Sequence, residues 1–353
     1  MNLILTFDYE LFGDGSGNVF THIIEPTNQI LQLCSKHNIK ITIFFEVLEY
    51  IKLKEEWDKG NTMGYTDNPI EAIENQIQQA ALVGHDIQLH IHPQWYNAKY
   101  ENGKWHLNVN NWRLGDFKGE NNYNVKELIS DCKTALEDLI KPVNPHYKCI
   151  GLRAGGYNIM LSDEVHVAMV DLDMKYDSSV YPGGYETGNL SKYDYRNVSL
   201  ELSHWWADAN DIRKISDKGK EILEIPIFAL PVARWKRILT PSKIKSLLLR
   251  KNNVISSNSK EKIRKKSISE KIKFMLQHEA STWDVCMFPQ SLHKKFFKHI
   301  ESKMIDKRDS YVLIGHPKSL QQPKLFANFI SIAKNRKFNY KFLTLSEYYE
   351  SIV

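Results

Sequence analysis

Asn2-Leu3-Ile4-Leu5-Thr6-Phe7-Asp8-Tyr9-Glu10 is an apolar run that gives out into two carboxylates. Side chains two apart in an extended chain point the same way, so Asp8 and Glu10 share one side of a strand end. Outward from this stretch, strand-like and helix-like runs keep trading places. Pro26 opens a helix carrying Ile30, Leu33 and Cys34 on one face, and 39–45 is a short, β-branched strand. Asn68-Pro69 supplies an N-cap and a first helical residue for Ile70, Ile73, Ile77 and Ala81, and Gly84 stops that helix. A third strand covers 86–91. Asn124 with Glu127 resembles a capping box ahead of the stripe Leu128, Cys132, Leu136 and Leu139. Strands over 149–152, 223–230 and 311–314 follow, with helices around Val165 to Leu172 and over 292–304. Such alternation predicts an α/β fold of parallel strands with crossover helices, whose active residues gather at the C-terminal ends of the strands.

Those ends carry polar chemistry. The third strand runs out through His90-Ile91-His92, two imidazoles on one side that can converge on a metal. Residues 152–157 give Arg153-Ala154-Gly155-Gly156-Tyr157, a guanidinium followed by backbone free to approach a ligand. Tyr176-Asp177-Ser178-Ser179 adds a carboxylate, and Gly315-His316-Pro317 a last imidazole. Each has an ordinary reading. A His-x-His pair is often a surface coincidence, an acid pair a solvated strand end, an arginine a bridge to a carboxylate, an aspartate a turn cap and a lone histidine a backbone donor. Five strand ends bearing carboxylate, imidazole, guanidinium, carboxylate and imidazole are hard to assign to structure alone.

In this order the stretches 6–10, 84–92, 153–157, 176–179 and 313–316 resemble the five motifs of the polysaccharide deacetylases with the NodB-homology domain, carbohydrate esterase family 4. The resemblance spans most of the chain and implies a distorted (β/α) barrel of about seven parallel strands. It also implies a divalent metal held by one carboxylate and two histidines, and hydrolysis of an N-acetyl or O-acetyl group. Two departures stand out. The family's first motif has adjacent aspartates, base then ligand, whereas Tyr9 holds the second place here and Glu10 follows. The family's second metal histidine lies four residues after the first, at Gln94 here, which leaves His92 as the substitute. Carried over residue by residue, Asp8 is the general base, Glu10, His90 and His92 are the metal ligands, and Arg153 holds Asp8 ionised. His316 protonates the leaving amine and Asp177 orients it. Zinc is the default metal, with cobalt, nickel, manganese and iron admitted by the same ligand types.

Between His92 and Asn124 the chain places Trp95, Tyr96, Tyr100, Trp105 and Trp112 around an Asn102-Gly103 turn. Aromatic faces suit the C–H faces of sugars, so Trp95, Tyr96 and Trp105, with Tyr157, are candidate substrate contacts. An ordinary packed flap is the equal alternative.

The 353 residues, 41.2 kDa, are 42% hydrophobic and 25% charged. That composition excludes collagen, coiled coil and wholesale disorder, and no apolar run reaches membrane-spanning length. One catalytic domain over 1–353 is expected, with an aromatic insertion at 93–123 and a basic one at 234–273. The latter window holds fourteen Lys or Arg against two Glu, a balance of +12 within a chain of net +5. It reads as a mobile surface excursion flanked by amphipathic helices, suited to an anionic membrane surface. It lacks the interleaved aromatics of a nucleic-acid binder. Four cysteines without short spacing, Cys34, Cys132, Cys149 and Cys286, read as small core residues, and no secretory leader is evident. The expectation is a cytoplasmic enzyme, placed at the inner face of the membrane when the basic window docks there. It would remove an acetyl group from an amino sugar of a glycan or of a precursor in surface-polysaccharide assembly. A metal-dependent amidohydrolase of a non-sugar compound and an inactive glycan-binding protein are the alternatives.

Overall fold

The computed structural model describes residues 1–159, 163–235, 276–302, 308–320 and 322–353. In chain order β1 (Asn2–Tyr9), α1 (Glu25–His37), β2 (Thr42–Glu46), α2 (Val47–Asp58), α3 (Pro69–Leu82) and β3 (Asp86–Ile91) come first. A hairpin of β4 (Lys99–Glu101) and β5 (Lys104–His106) leads to α4 (Val125–Ile140), β6 (Gly151–Ala154), α5 (Asp163–Asp171) and β7 (Tyr176–Asp177). A second hairpin, β8 (Tyr185–Thr187) and β9 (Lys192–Asp194), precedes β10 (Trp205–Asp208), β11 (Asp211–Ile215), β12 (Leu223–Glu224) and β13 (Ala229–Ala233). Then follow β14 (His278–Thr282), α6 (Gln290–Ser302), β15 (Ser310–Gly315), α7 (Pro323–Lys334), β16 (Lys341–Leu343) and α8 (Leu345–Glu350).

Local chemistry sets many of these bounds. The Asn68 side chain accepts from the N–H of Ile70 at 3.0 Å and of Glu71 at 3.2 Å, with Pro69 in the first turn of α3. Gly84, at φ +89°, lets the chain turn out of that helix. The capping box of Asn124 and Glu127 is formed at α4, and Asn102 (φ +53°) with Gly103 (φ +75°) makes the expected tight turn between β4 and β5. Two of the bounds that differ from expectation show how local chemistry moves them. Helical winding begins at Phe20, in a wide π turn ahead of Pro26, whose missing N–H removes one bond from the ladder. The strand expected at 149 starts at Gly151, and side chains take the amides around its start: Cys149 N–H donates to Glu137 Oε1 at 3.1 Å, and Ile150 and Gly151 N–H to Gln88 Oε1 at 3.0 and 2.7 Å.

The main sheet has ten strands in the order β11-β10-β12-β7-β6-β3-β2-β1-β15, with β16 also paired to β1. Every pair from β12 to β15 is parallel, whereas β10 runs antiparallel to both β12 and β11. The expected distorted barrel of about seven parallel strands is met in part: the sheet is mixed and curled, and its seven parallel strands from β12 to β15 are not closed by a continuous ladder among the described residues. Its seam is one isolated bridge, Ile227 to Val312. The reason lies in the strand expected over 223–230: Pro226 has no N–H for a ladder, so β12 stops at Glu224, and the chain re-forms a strand only as β13, which leaves to pair with β14.

Every residue of β2 and β15 is buried, as parallel strands covered on both faces require. Helices α2, α3 and α4 pack on β3. Around α6 and α7 the core is aromatic, with the Trp283 ring 5.1 Å from Phe296 and 4.8 Å from Phe297, each such buried ring worth about 1.5–3 kcal/mol. The four cysteines are all buried and free, as core residues should be. Of the basic window 234–273, only Arg234 and Trp235 fall among the described residues, so the membrane-facing expectation lies outside them. Among the described residues no helix is long and apolar enough to cross a membrane.

Candidate active site

Register brings the strand ends level. His90 of β3 stands opposite Arg153 of β6, Phe44 opposite both Asp8 of β1 and Gln88 of β3, and Phe7 opposite Gly315 of β15, one residue before His316. Tyr9, between the two acids, turns to the other side and donates its hydroxyl to Gln76 Oε1 at 2.9 Å. Asp8 and Glu10 are thus left to face the imidazoles. His92 Nε2 lies 2.7 Å from Glu10 Oε2 and His90 Nε2 3.7 Å from the same oxygen, while His316 Nε2 lies 3.5 Å from Asp8 Oδ2. Sequence reasoning gathered these five residues, and the structure brings them together.

The two carboxylates are held differently. Arg153, fully buried, donates Nη1 to Asp8 Oδ1 at 2.6 Å and to Thr6 Oγ1 at 2.9 Å. Its Nε donates to the Ser178 carbonyl at 2.8 Å, and its guanidinium lies 4.1 Å over the Phe44 ring. Burial alone would raise the pKa of Asp8, but Arg153, His90 and His316 together hold it below its ordinary value. Glu10 is likewise buried, yet Lys318 and His92 hold it well below the carboxylate range. Lys318 Nζ sits 2.9 Å from Glu10 Oε1 and also donates to the Leu11 carbonyl. Sequence reading missed Lys318. The only signal was Pro317, whose one-turn 3-10 helix folds the chain back after His316.

Asp177 does not meet His316 in the way expected. It accepts from Ser179 N–H at 2.7 Å and from Ser179 Oγ at 2.8 Å, and burial raises its pKa against neighbouring Glu224. Ser179 Oγ in turn accepts from Ala154 N–H at 2.8 Å, so Asp177 braces the end of β6 beside Arg153. The carboxylate facing His316 Nδ1 is Asp284, 3.8 Å away at Oδ2. Burial works against a charged His316, but Asp284, Asp8 and Glu10 outweigh it and raise its pKa above the ordinary imidazole value. Asp284 itself is fixed by the N–H groups of Cys286 and Met287, both at 2.8 Å. It was missed because it follows the basic insertion and joins the sheet by one bridge to Ile314, leaving no strand pattern to read.

Of the proposed substrate contacts, Trp95 is corrected. At 1% exposure it is flap core, edge-on to Trp105 at 5.0 Å, with no face to offer. Tyr96 stacks on Tyr123 at 5.2 Å, and the Trp105 Cβ lies against Gly15, both half-buried parts of the same flap. Tyr157 is placed differently. In the left-handed region at φ +64°, it lines a groove of about 740 Å³ with Tyr181, Tyr185, Tyr193 and Arg196. A non-glycine residue held in that region near a site is a recurrent mark of function.

The donor set fits a divalent cation. Glu10, His90 and His92 offer ligand atoms within 4.8 Å of one another, as do Asp8, Glu10 and His316. Nε2 of His90 is buried without a hydrogen-bond partner, and Nε2 of His92 is buried with only Glu10 Oε2 against it at 2.7 Å, so both ring nitrogens converge on one carboxylate where a cation would sit.

No family profile and no curated protein matches the sequence. Among solved structures the chain is similar to a putative polysaccharide deacetylase from Mycobacterium smegmatis, with 11% identity and TM-score 0.50, covering 99% of this chain and 89% of that one. It is similar to Puue allantoinase at 12% identity, TM-score 0.50 and the same coverages. A probable polysaccharide deacetylase from Pseudomonas aeruginosa PAO1 is 11% identical at TM-score 0.49, also over 99% and 89%. At these identities the likeness speaks for the fold: the chain has the polysaccharide-deacetylase fold that its five motifs resemble, a fold the allantoinase shares.

Proposed function

We propose that this protein is a metal-dependent hydrolase that removes an N-acetyl group from an amino sugar within a glycan or glycan precursor. The observation that carries the reading is the pair of buried imidazole nitrogens converging on Glu10, beside a carboxylate whose pKa is lowered and an imidazole whose pKa is raised. Glu10, His90 and His92 would hold the metal, zinc by default. When bound, such an ion polarises the acetyl carbonyl and acidifies water.

The chain's own residues supply the proton transfers. Asp8, ionised by Arg153, takes a proton from the attacking water, whose oxygen bonds to the acetyl carbon. His316, whose protonated form Asp284 favours, gives a proton to the sugar nitrogen as the carbon–nitrogen bond breaks, leaving acetate and a free amine. Two groups whose surroundings push their pKa values in opposite useful directions are the signature of paired base and acid. The tyrosine-lined groove at Tyr157 supports a sugar-bearing substrate, since aromatic walls suit the C–H faces of a pyranose ring.

The test couples metal analysis of the purified protein to acetate release from N-acetylated oligosaccharides and nucleotide sugars. Stoichiometric metal lost in His90→Ala, with acetate released by the wild type alone, supports the reading. Protein that takes up no metal and releases no acetate sinks it.

A further inference from the structure

The two histidines that face Glu10 are held from behind by different kinds of partner. His90 Nδ1 lies 2.8 Å from the carbonyl oxygen of Arg153. A carbonyl only accepts, so Nδ1 carries the ring proton and Nε2 presents its lone pair. His92 Nδ1 lies 2.9 Å from the side-chain amide of Gln94, and an amide can donate or accept.

With the amide nitrogen toward the ring, as the structure has it, Nδ1 must accept, and the neutral ring carries its proton on Nε2, against Glu10. Such a ring has no Nε2 lone pair for a metal. The same placement leaves Gln94 Oε1 buried without a partner and gives the amide only a long second contact, 3.5 Å to the Gly13 carbonyl. Turned by half a rotation, the amide sets Oε1 against Nδ1–H, and the Nε2 lone pair is freed. Amide oxygen and nitrogen are nearly the same size, so a fully buried Gln94 can flip without new space.

We propose that Gln94 is the positioning residue of His92, and that its amide orientation selects between a closed tautomer, with Nε2–H against Glu10, and an open tautomer that ligates metal. Loading of the site and the amide flip are then one event. The ring stays neutral: one proton leaves Nε2 for water and one is taken up at Nδ1. The residue that occupies the place of a family ligand has become the device that readies the neighbouring one. The proposal rests on the metal-dependent reading above.

Nitrogen-15 spectroscopy of the histidines in the full chain, without and with Zn2+, tests it together with zinc affinities by competition titration. In the wild type, zinc should move His92 from Nε2–H to Nδ1–H while His90 stays Nδ1–H throughout. Gln94→Leu should bind zinc about 10–100-fold more weakly, the usual cost of losing an orienting partner. Gln94→Glu, an acceptor when ionised, should show His92 as Nδ1–H before zinc is added. A zinc-free wild type already in the Nδ1–H form, or a Gln94→Leu affinity within twofold of wild type, overturns the proposal. Should Gln94→Leu not fold, the wild-type spectra decide alone. A wild type that binds zinc without moving the His92 proton removes this proposal only, whereas one that binds no zinc removes the metal reading beneath it.

Discussion

At the scale of single residues, the two acids of the first strand are chemically alike and electrostatically distinct. Asp8 answers to Arg153 and Glu10 to Lys318, so their variants should separate. Asp8→Asn should cut turnover about 10²–10⁴-fold, the range for a lost general base, with metal content unchanged, while Glu10→Ala should lose metal; metal analysis beside kcat reads both. The pH profile follows from the same contacts. A base with a lowered pKa and an acid with a raised one give a bell whose acid limb lies below the ordinary carboxylate value and whose alkaline limb lies above 6.5. Asp284→Asn removes a carboxylate that favours protonated His316, so the alkaline limb should move down by roughly one pH unit, and an unmoved limb would exclude Asp284. Six site residues were legible in the sequence because each is at, or within two residues of, the end of a patterned strand. Asp284 and Lys318 were not, since an insertion and a proline turn place them, and Asp177 was legible as a strand-end acid but not as a brace for Ala154.

Among the elements, β6 and α6 carry the sharpest demands. Gly155 follows β6 with its backbone against the His92 ring, and an added Cβ would sit 2.5 Å from the imidazole. Gly155→Ala should therefore displace His92 and lower metal affinity while the far-ultraviolet circular dichroism is preserved. Sequence reading recognised that glycine as close-approach backbone but not what it approaches, which only the pairing of β3 with β6 determines. In α6, His293 accepts from the Trp283 indole N–H at 3.0 Å, and burial lowers its pKa from 6.5 to about 4. The unfolded chain takes up that proton near 6.5 and the folded one only near 4, so its contribution is intact above 6.5 and is lost as pH falls between the two. Urea midpoints of wild type and His293→Gln, which keeps an acceptor without titrating, should thus shift relative to each other in the variant's favour from pH 7 to pH 5. A gap independent of pH would refute this.

Across the whole molecule, the candidate ligands tie β1 to β3, so metal bound only by the folded state should stabilise it. At a free concentration 100 times Kd the gain is about 2.7 kcal/mol, and a chelator should lower Tm accordingly. The alternation of elements foretold the parallel core and not the mixed edge, because the turn chemistry of Pro226 and the pairing of β10 depend on neighbours far along the chain. The same long reach has a consequence during synthesis. β1 lies between β15 on one side and β2 and β16 on the other, and Thr6 Oγ1 donates to the Leu313 carbonyl at 2.7 Å. Asp8 and Glu10 leave the ribosome some three hundred residues before His316 and Lys318. At translation rates of about 5–20 residues per second, the nascent chain spends tens of seconds with its two acids made and their partners unwritten. For that interval the first strand is an unpaired edge that a chaperone has reason to hold.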